Sequence, residues 1–418
     1  MSRHFSTRVL AAAIAVGLAL EVTPAAAAQL EEVIVTARKR DESIMKVPTT
    51  ATVLSQETLD QYAVGDVKGI ADKVPGLNFG SGVLASGVQV SMRGVGTSTK
   101  NPAIDQSVAL VADGMQFTQG LAFQAASFDM ANVQVLKGPQ ALFFGKAAPA
   151  GVIAIRTADP IDKNEVVLRA GYEFEAEEAL GEAIVSGPVT DTLGLRLAAQ
   201  FSDMDGYFRN DAVPGQAVVP AFGSLGAAPV TKKDFPNRDS LLLRGTALWN
   251  PTESFSARFK VNYNDVETKG WGGEPQLVSC PLGTNSAFHA LGVDWIGGED
   301  CKKDDKQKYS YMDPAAYPGV RNGGVPYSDL EQYFGSLELN YDFGNDLTLT
   351  SVTGYYDVDQ SSLVNLGITT GFGTPMANQG HFERNDFTQE LRLTSNFDGD
   401  LNFTLGGFYQ TGETDYLS

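Results

Sequence analysis

Cysteine and histidine are nearly absent from this chain. Two cysteines, Cys280 and Cys301, stand among 418 residues, which excludes a disulfide-dense scaffold and a cysteine-rich metal site. The three histidines, His4, His289 and His381, are scattered. Basic charge is also short: 31 Lys and Arg face 50 Asp and Glu, a formal net charge of −19. That balance argues against nucleic-acid binding, which needs a basic patch to neutralise phosphates. No apolar run of about 18 residues follows residue 28, so no membrane-spanning helix is expected beyond it. A nucleophile–base–acid constellation is missing too. Gly138 to Gly145-Lys146 superficially resembles a phosphate loop. But residues 139–144 separate the glycines and Ala147 follows the lysine, so the G-x4-G-K-[ST] geometry is not there. Tight turns needing positive φ explain those glycines better.

What is present begins with an export signal. Arg3 and Arg8 form a positive start, Val9–Leu20 an apolar stretch, and Ala26–Ala28 a small-residue processing site. Residues 1–28 therefore read as a signal peptide cleaved between Ala28 and Gln29, in preference to an uncleaved anchor helix. Just behind the cut lies EEVIVTARKR, residues 31–40. Val33, Ile34 and Val35 are β-branched and suit an extended strand. An apolar edge at a free terminus is a liability unless a partner pairs with it.

Beyond this tether the chain has two grammars. Residues 42–160 mix helix and strand signals and are rich in glycine. Ser55 is placed to cap a helix over Gln56–Tyr62, with Glu57 in its first turn. Asp66 is placed to cap a second, in which Val67, Ile70, Ala71 and Val74 share a face before Pro75-Gly76 stops it. Short strands are expected at Val88–Met92, Val108–Ala112, Val133–Leu136 and Val152–Arg156. This half reads as a small α+β domain. Residues 164–418 instead alternate with period two. In Thr192–Ser202 the apolar set is Leu193, Leu195, Leu197, Ala199 and Phe201. Phe255–Asn264, Tyr333–Asp342 and Leu401–Gln410 alternate similarly. Strands are also expected at Val166–Phe174, Leu180–Gly187, Ser240–Trp249, Leu347–Tyr356 and Phe387–Asn396. Each has one apolar and one wet face.

The connections sort by length. GPVTD, NPTES, FGND and FDGD are short turns; residues 203–239, 266–332 and 357–386 are long loops. Short turns at one end, long loops at the other and strands of about ten alternating residues mark an outer-membrane β-barrel rather than a soluble sandwich. Tyr172, Phe174, Tyr207, Trp249, Phe255, Tyr263, Tyr341 and Tyr355 lie near strand ends and suit interfacial girdles. A bacterial barrel closes on an even number of strands. Nine strands are read here, an odd number, so the chain is expected to be cut short.

The stretch VQVLKGPQALFFGKAAPAGVIAIRTADP (133–160) resembles the end of the plug domain of TonB-dependent outer-membrane receptors. IADKVPGLNF (70–79), VSMRGVG (90–96) and SVALVADGM (107–115) resemble earlier blocks of that plug, in the same order. EEVIVTA resembles the TonB box and QELRLTS (389–395) a recurrent barrel strand. The resemblance implies an α+β plug domain inside an antiparallel transmembrane β-barrel of 22 strands, in a Gram-negative outer membrane; about nine of those strands are present, so the barrel is expected to be incomplete, a fragment or a truncated non-functional remnant. It implies energy-coupled import of a scarce nutrient, with no enzyme activity and no cofactor. A ferric siderophore is the expected substrate; cobalamin, another metal chelate or an oligosaccharide is the alternative. The implied partners are the TonB C-terminal domain, with ExbB/ExbD behind it, a small-molecule substrate and outer-membrane lipid. A monomer is expected.

By the same resemblance Glu32, Val33, Ile34, Val35, Thr36 and Ala37 form the TonB box. Residues 29–41 form the box and tether, with Arg38–Arg40 keeping it soluble and plug-facing. Arg93, Gly94, Asp113, Gly114, Lys137, Gly138, Pro139, Gly145 and Gly151 fall in the plug motifs. Arg93 and Lys137 are candidates for ion pairs to the barrel wall, or else ordinary solvated charges. Asp105 and Asp113 are acids that such bases would meet. Cys280 and Cys301 lie in the longest loop, which faces an oxidising compartment. A disulfide between them would contribute roughly 3 kcal/mol through loop entropy; free thiols or a metal site are the alternatives.

Overall fold

The computed structural model describes residues 34–35, 39, 42–43, 50–62, 64–81, 87–97, 103–144, 148–210, 215–219, 223–228, 234–270, 302–307, 312–315, 317–365, 377–399 and 401–418. The signal peptide, the Ala28–Gln29 cleavage site, Glu32, Val33, Thr36, Ala37, Gly145, Cys280 and Cys301 lie outside the described residues.

The first body is built on a five-stranded sheet. Its strands are β1 (Thr50–Ser55), β5 (Val108–Ala112), β6 (Met115–Phe117), β7 (Met130–Lys137) and β8 (Gly151–Thr157), in the spatial order β1-β7-β8-β5-β6. A second small sheet joins β2 (Leu77–Ser81), β3 (Val88–Met92) and β4 (Val95–Gly96). β5 reads VALVA and is buried along its whole length, as an unbroken apolar run is when both faces are covered. It runs parallel to β8, which pairs antiparallel with β7 on its other side.

Helices α1 (Gln56–Gln61) and α2 (Val67–Lys73) start where their caps stand. The Thr58 amide donates to Ser55 Oγ at 3.3 Å, and the Gly69 amide to Asp66 Oδ1 at 2.7 Å. Helices α3 (Ala122–Ala126) and α4 (Ala141–Phe144) are too short to show a helical period in the sequence. Leu59, Ile70, Val90, Leu110, Val133 and Ile153 belong to one buried apolar cluster.

The second body is a nine-stranded antiparallel sheet, the wall, in strict sequence order. Its strands are β9 (Glu165–Glu173), β10 (Glu178–Pro188), β11 (Leu193–Met204), β12 (Asn237–Thr252), β13 (Phe255–Lys269), β14 (Tyr327–Asp342), β15 (Leu347–Asn365), β16 (Ala377–Ser395) and β17 (Thr404–Leu417). All the expected wall strands form. β12 to β16 run longer than the alternation predicts, at the ends that meet the long connections. There the outward residues turn polar, as at Asp357, Asp359 and Ser361, so the apolar alternation fades while backbone pairing continues.

The wall is inside out relative to a water-soluble sheet. Outward residues Leu168, Leu197 and Phe259 are 76%, 64% and 50% exposed, while inward Lys260, Gln332 and Asn264 are 0%, 0% and 1% exposed. Apolar out and polar in is the arrangement a lipid-facing barrel wall requires. Among the described residues no helix is long and apolar enough to cross a membrane.

Aromatic pairs bracket the apolar band. Trp249–Phe255, Tyr341–Phe343 and Phe397–Phe403 meet edge-on at the short-turn end, with centroids 6.1, 5.0 and 6.2 Å apart. Tyr172–Phe174 and Tyr263–Tyr333, at 5.2 and 4.9 Å, mark the other end. From position 333 to 341 the strand covers about 27 Å at 3.4 Å per residue. Tilted by about 35–45°, a strand of that reach rises about 20 Å, most of an apolar band about 25 Å tall. Tyr207 does not join a girdle; it lies beyond the end of β11, beside the Phe208 ring. Beyond the upper girdle the outward face becomes acidic. Asp265, Glu331, Asp359, Glu383 and Asp415 lie in one cross-strand row over β13 to β17.

Candidate functional site at the seam between the two bodies

The first body sits against the inward face of the wall, and the contacts divide into two arcs. One arc, on β11 to β13, is cationic. Arg196, Arg244, Arg258 and Lys260 all occupy inward positions there. Register puts Arg196 and Lys260 in one row, either side of Thr246. The other arc, on β14 and β15, is aromatic and apolar.

Lys260 is the centre of the cationic arc. Its side chain is fully buried, and its Nζ donates to Thr157 O at 2.8 Å, Thr157 Oγ1 at 2.7 Å and Ala158 O at 3.3 Å. It also pairs with Asp159 Oδ1 at 3.1 Å and Asp113 Oδ1 at 3.3 Å. A buried ammonium persists only when neighbouring charges and acceptors replace its hydration.

Asp113-Gly114 makes the two-residue turn between β5 and β6, with φ of 46° and 84°. Positive φ at both central residues is the hairpin turn that Asp-Gly favours. The turn aims the carboxylate at β8. Oδ1 accepts from the Thr157 amide at 3.0 Å and Oδ2 from Thr157 Oγ1 at 2.8 Å. Burial alone would raise this carboxyl. Lys260, Arg244 and the two Thr157 bonds outweigh it and hold Asp113 below the usual carboxylate range.

Arg196 grips Asp129 with both arms of its guanidinium, Nε to Oδ2 at 2.9 Å and Nη2 to Oδ1 at 2.7 Å. Such two-pronged pairing fixes direction as well as charge. Arg244 donates to the carbonyls of Ala125, at 3.0 Å, and of Phe128. It thereby caps the carbonyl end of α3, where a cation is favoured. Arg258 bridges Asp159 at 3.0 Å and Glu338 at 3.1 Å.

On the apolar arc the Phe117 ring meets Phe334 at 5.4 Å and Tyr356 at 5.0 Å, both edge-on. Gln332 donates to Leu121 O at 3.1 Å and accepts from the Tyr356 hydroxyl at 3.2 Å. A Cβ on Gly114 would come within 3.1 Å of Val352 Cγ1, so the turn lies directly against the wall.

A third contact lies on β16. Lys39, with φ of 55°, ion-pairs with Glu390, which also pairs with Arg392. The Lys39 ammonium stands 5.4 Å from the Phe144 ring centroid. Burial lowers its pKa from the ordinary lysine value, against the opposing pull of Glu390. Lys39 thus faces the plug, as expected of residues 38–40, and meets the wall as well, its side chain 19% exposed. On either side of Lys39, Ile34–Val35 pairs antiparallel with Glu42–Ser43.

The structure separates the sequence-selected residues. Asp113 and Gly114 lie at the seam. Arg93-Gly94 forms a two-residue turn between β3 and β4, with φ of 51° and 82°. Lys137 donates to Pro75 O at 3.0 Å. Among the described residues neither Arg93 nor Lys137 pairs with the wall, so that expected role passes to Lys39 and to cations of the wall itself. Asp105 accepts from Thr118 Oγ1 at 2.5 Å, within the first body. The Gly138 amide donates to Ala150 O at 3.0 Å, Pro139 follows it, and Gly151 begins β8. The residues that sequence reading missed are Lys39, Asp129, Thr157, Asp159, Arg196, Arg244, Arg258, Lys260 and Glu390. The signal for four of them was available: cations recurring at inward positions of successive alternating strands.

Residues 43–152 match the family model of the TonB-dependent Receptor Plug Domain. A hemin receptor of Yersinia pestis is 25% identical over 61% of this chain and 35% of its own length. The vitamin B12 transporter BtuB of Vibrio vulnificus is 23% identical over 87% of this chain and 67% of its own length. The solved ferric yersiniabactin uptake receptor FyuA of Yersinia pestis superposes with a TM-score of 0.62 at 18% identity, over 88% of this chain. The chain spans about half the length of that receptor, 49%.

Proposed function

We propose that this chain, a TonB-dependent receptor by its plug domain and by the joint fold of plug and wall, imports a scarce nutrient through the outer membrane. The family is one of outer-membrane receptors of Gram-negative bacteria, transporters rather than enzymes. The substrate class we assign is a ferric siderophore; the solved neighbours include a ferric yersiniabactin uptake receptor and a siderophore receptor. Haemin and cobalamin, named for the other relatives, are competing outcomes of the test.

One observation carries the import reading: beside the apolar arc of Phe117, Phe334 and Tyr356, the seam between plug and wall is closed by exchangeable ion pairs and hydrogen bonds. Asp113, Asp129 and Asp159 meet Lys260, Arg196 and Arg258 across the seam. Ion pairs and hydrogen bonds can be exchanged for water at small net cost, so a body held this way can be displaced and reseated. The outer membrane has no nucleotide supply, and displacement needs work from elsewhere. We assign that work to TonB, coupled to ExbB/ExbD, pulling on Glu32–Ala37. Strand addition to Val33, Ile34 and Val35 supplies backbone hydrogen bonds whatever the partner's side chains.

The test is uptake of radiolabelled iron with candidate siderophores, in iron-limited cells carrying the intact gene. Deleting residues 32–37 is expected to abolish uptake and leave substrate binding nearly intact. Equal loss of both would defeat the assignment of the box. Growth on cobalamin or haemin but on no ferric siderophore would move the substrate class.

A further inference from the structure

We propose that Asp359, His381 and Glu383 bind a divalent transition-metal ion on the outward face of the wall, just above the upper girdle, where it clips β15 to β16. The inference is independent of the import reading and of the cargo. Three observations carry it.

First, strand register assembles the donors. Asp359 lies directly opposite Glu383, and Ser361 directly opposite His381. All four side chains point outward, at alternate positions of adjacent antiparallel strands. One ring nitrogen of His381 and one oxygen each of Asp359 and Glu383 lie within 4.8 Å of one another. Ligands held tetrahedrally on one zinc ion stand about 3.4 Å apart. The two carboxylate side chains are 52% and 53% exposed, so they are free to close by the roughly 1 Å that remains.

Second, the imidazole is oriented. Its Nε2 stands 2.8 Å from Glu383 Oε1, and its Nδ1 stands 3.0 Å from Ser361 Oγ and 3.7 Å from Asp359 Oδ1. A polar partner on one ring nitrogen fixes the ring and presents the other nitrogen to a metal. With Glu383 at one nitrogen and Ser361 at the other, the ring has such a partner whichever nitrogen binds. The donor chemistry also selects the ion. Carboxylates alone suit calcium and magnesium; an added imidazole favours zinc and its first-row neighbours. His381 is what separates this set from a run of surface acids.

Third, the surroundings call for positive charge. The five-acid row that contains Asp359 and Glu383 has a neighbour one step further from the girdle. In it Asp203, Asp239, Glu267 and Asp329 follow one another over β11 to β14, and Ser361 and His381 continue it. Among the described residues neither row holds a lysine or an arginine. Like charges directly opposite oppose strand pairing, and their summed field concentrates cations at that face. An ion held between Asp359 and Glu383 turns the repulsion into a cross-strand link.

The test is zinc titration of the full chain, without an affinity tag, purified in detergent from outer membranes. Cys280→Ser, Cys301→Ser and His289→Gln remove other imidazole and thiol ligands from the background. Competition with a chromophoric chelator is expected to show one Zn2+ bound per chain. His381→Ala and Asp359→Asn are each expected to weaken it at least tenfold, since even a group behind a metal ligand is worth about 10–100-fold. Glu413→Gln, an acid of the same face outside the set, is expected to leave the affinity unchanged. Co2+ in place of Zn2+ is expected to give visible absorption bands that His381→Ala shifts. Zn2+ is also expected to raise the unfolding temperature, read by heat-modifiable gel mobility, in the parent and not in His381→Ala.

Absence of zinc binding, or equal affinity in the parent and His381→Ala, would overturn the site. So would displacement of Zn2+ by an equal concentration of Ca2+, the behaviour of a counter-ion layer on the acidic rows. His381→Gln, which keeps hydrogen bonds to its neighbours, serves as a second probe should the alanine disturb assembly. None of these readouts uses TonB or a cargo. Failure here leaves the import reading standing, and failure of the box deletion to stop uptake leaves the metal site intact.

Discussion

Lys260 of the wall and Asp113 of the plug meet with Nζ 3.3 Å from Oδ1, both side chains shut away from solvent at 0% and 2% exposure. Asp159 and Thr157 complete the coordination of the ammonium. Lys260→Met keeps most of the volume but strands two acids at the seam. Removing one partner of a buried pair costs about 3–5 kcal/mol. Chemical denaturation, followed by protease accessibility of the plug, should show a loss of that size. Asp113→Asn should show a smaller loss, because Asp159 and the Thr157 oxygens still hold Lys260. The double variant should fall short of the sum by about 0.5–3 kcal/mol, as expected for residues in contact.

The same carboxylate sets a pH dependence. Asp113 is held below the ordinary carboxylate range in the folded protein. Its stabilising contribution is therefore fully present above the unfolded value of about 3.9. It is lost as pH falls through the lower folded value. Hydrogen exchange at the Asp113–Gly114 turn should accelerate only in strong acid, below about pH 4. Asp113→Asn should flatten that response. An equal acid response in the variant would assign it to another group.

The wall was legible in the sequence because its chemistry repeats. Leu193, Leu195 and Leu197 alternate with polar neighbours, and short turns punctuate the run at Asn250–Ser254 and Phe343–Asp346. The strand extensions at Tyr327–Gln332 and Val358–Asn365 were not legible. They rise above the lipid band, where polar residues serve both faces and the period disappears. The caps at Ser55 and Asp66 were readable because capping is local. β1 was not: Thr50–Ser55 is held by β7, whose partner positions lie some eighty residues downstream.

The seam shows the same limit. Asp113 stood out as the first residue of an Asp-Gly turn, yet nothing in its neighbourhood names Lys260 as its partner. That pairing arises from wall register and from the seating of the plug. Arg93 and Lys137 looked equally suited to the wall. The first instead opens a tight turn, and the second hydrogen-bonds to Pro75 O.

Gly151 tests the plug's internal packing. Its φ of 153° lies in the region that side chains rarely adopt, and a Cβ there would come within 2.4 Å of both Leu136 O and Met92 Sδ. The methionine can yield, but the β7 backbone cannot. Gly151→Ala should therefore destabilise the plug by about 2–4 kcal/mol, combining backbone strain with a forced shift. Gly94→Ala keeps the turn strain but meets no atom within 4 Å, and should cost less. Thermal unfolding of the two variants side by side separates clash from strain.

Leu197 tests which face of the wall meets lipid. It is 64% exposed, on the face opposite Arg196 and Ala198. Leu197→Arg should cost about 2–4 kcal/mol of folding into lipid vesicles if it lies near the midplane. Leu197→Phe should be nearly silent. Equal folding of the arginine variant would place that face in water.

Glu331 lies between Asp265 and Asp359 in the cross-strand row above the upper girdle, and accepts a hydrogen bond from the Tyr333 hydroxyl. Strands stand about 4.8 Å apart, and like charges directly opposite oppose pairing. Glu331→Gln removes the middle charge and keeps an oxygen for Tyr333. It should stabilise the wall at low ionic strength by about 0.2–1 kcal/mol, the range of a cross-strand pair. The gain should shrink with added salt, because the Debye length falls from about 30 Å at 0.01 M to about 3 Å at 1 M. Heat-modifiable gel mobility across a salt series measures both effects. A gain that persists unchanged at high salt would point to packing or hydrogen bonding at Glu331, not to repulsion along the row.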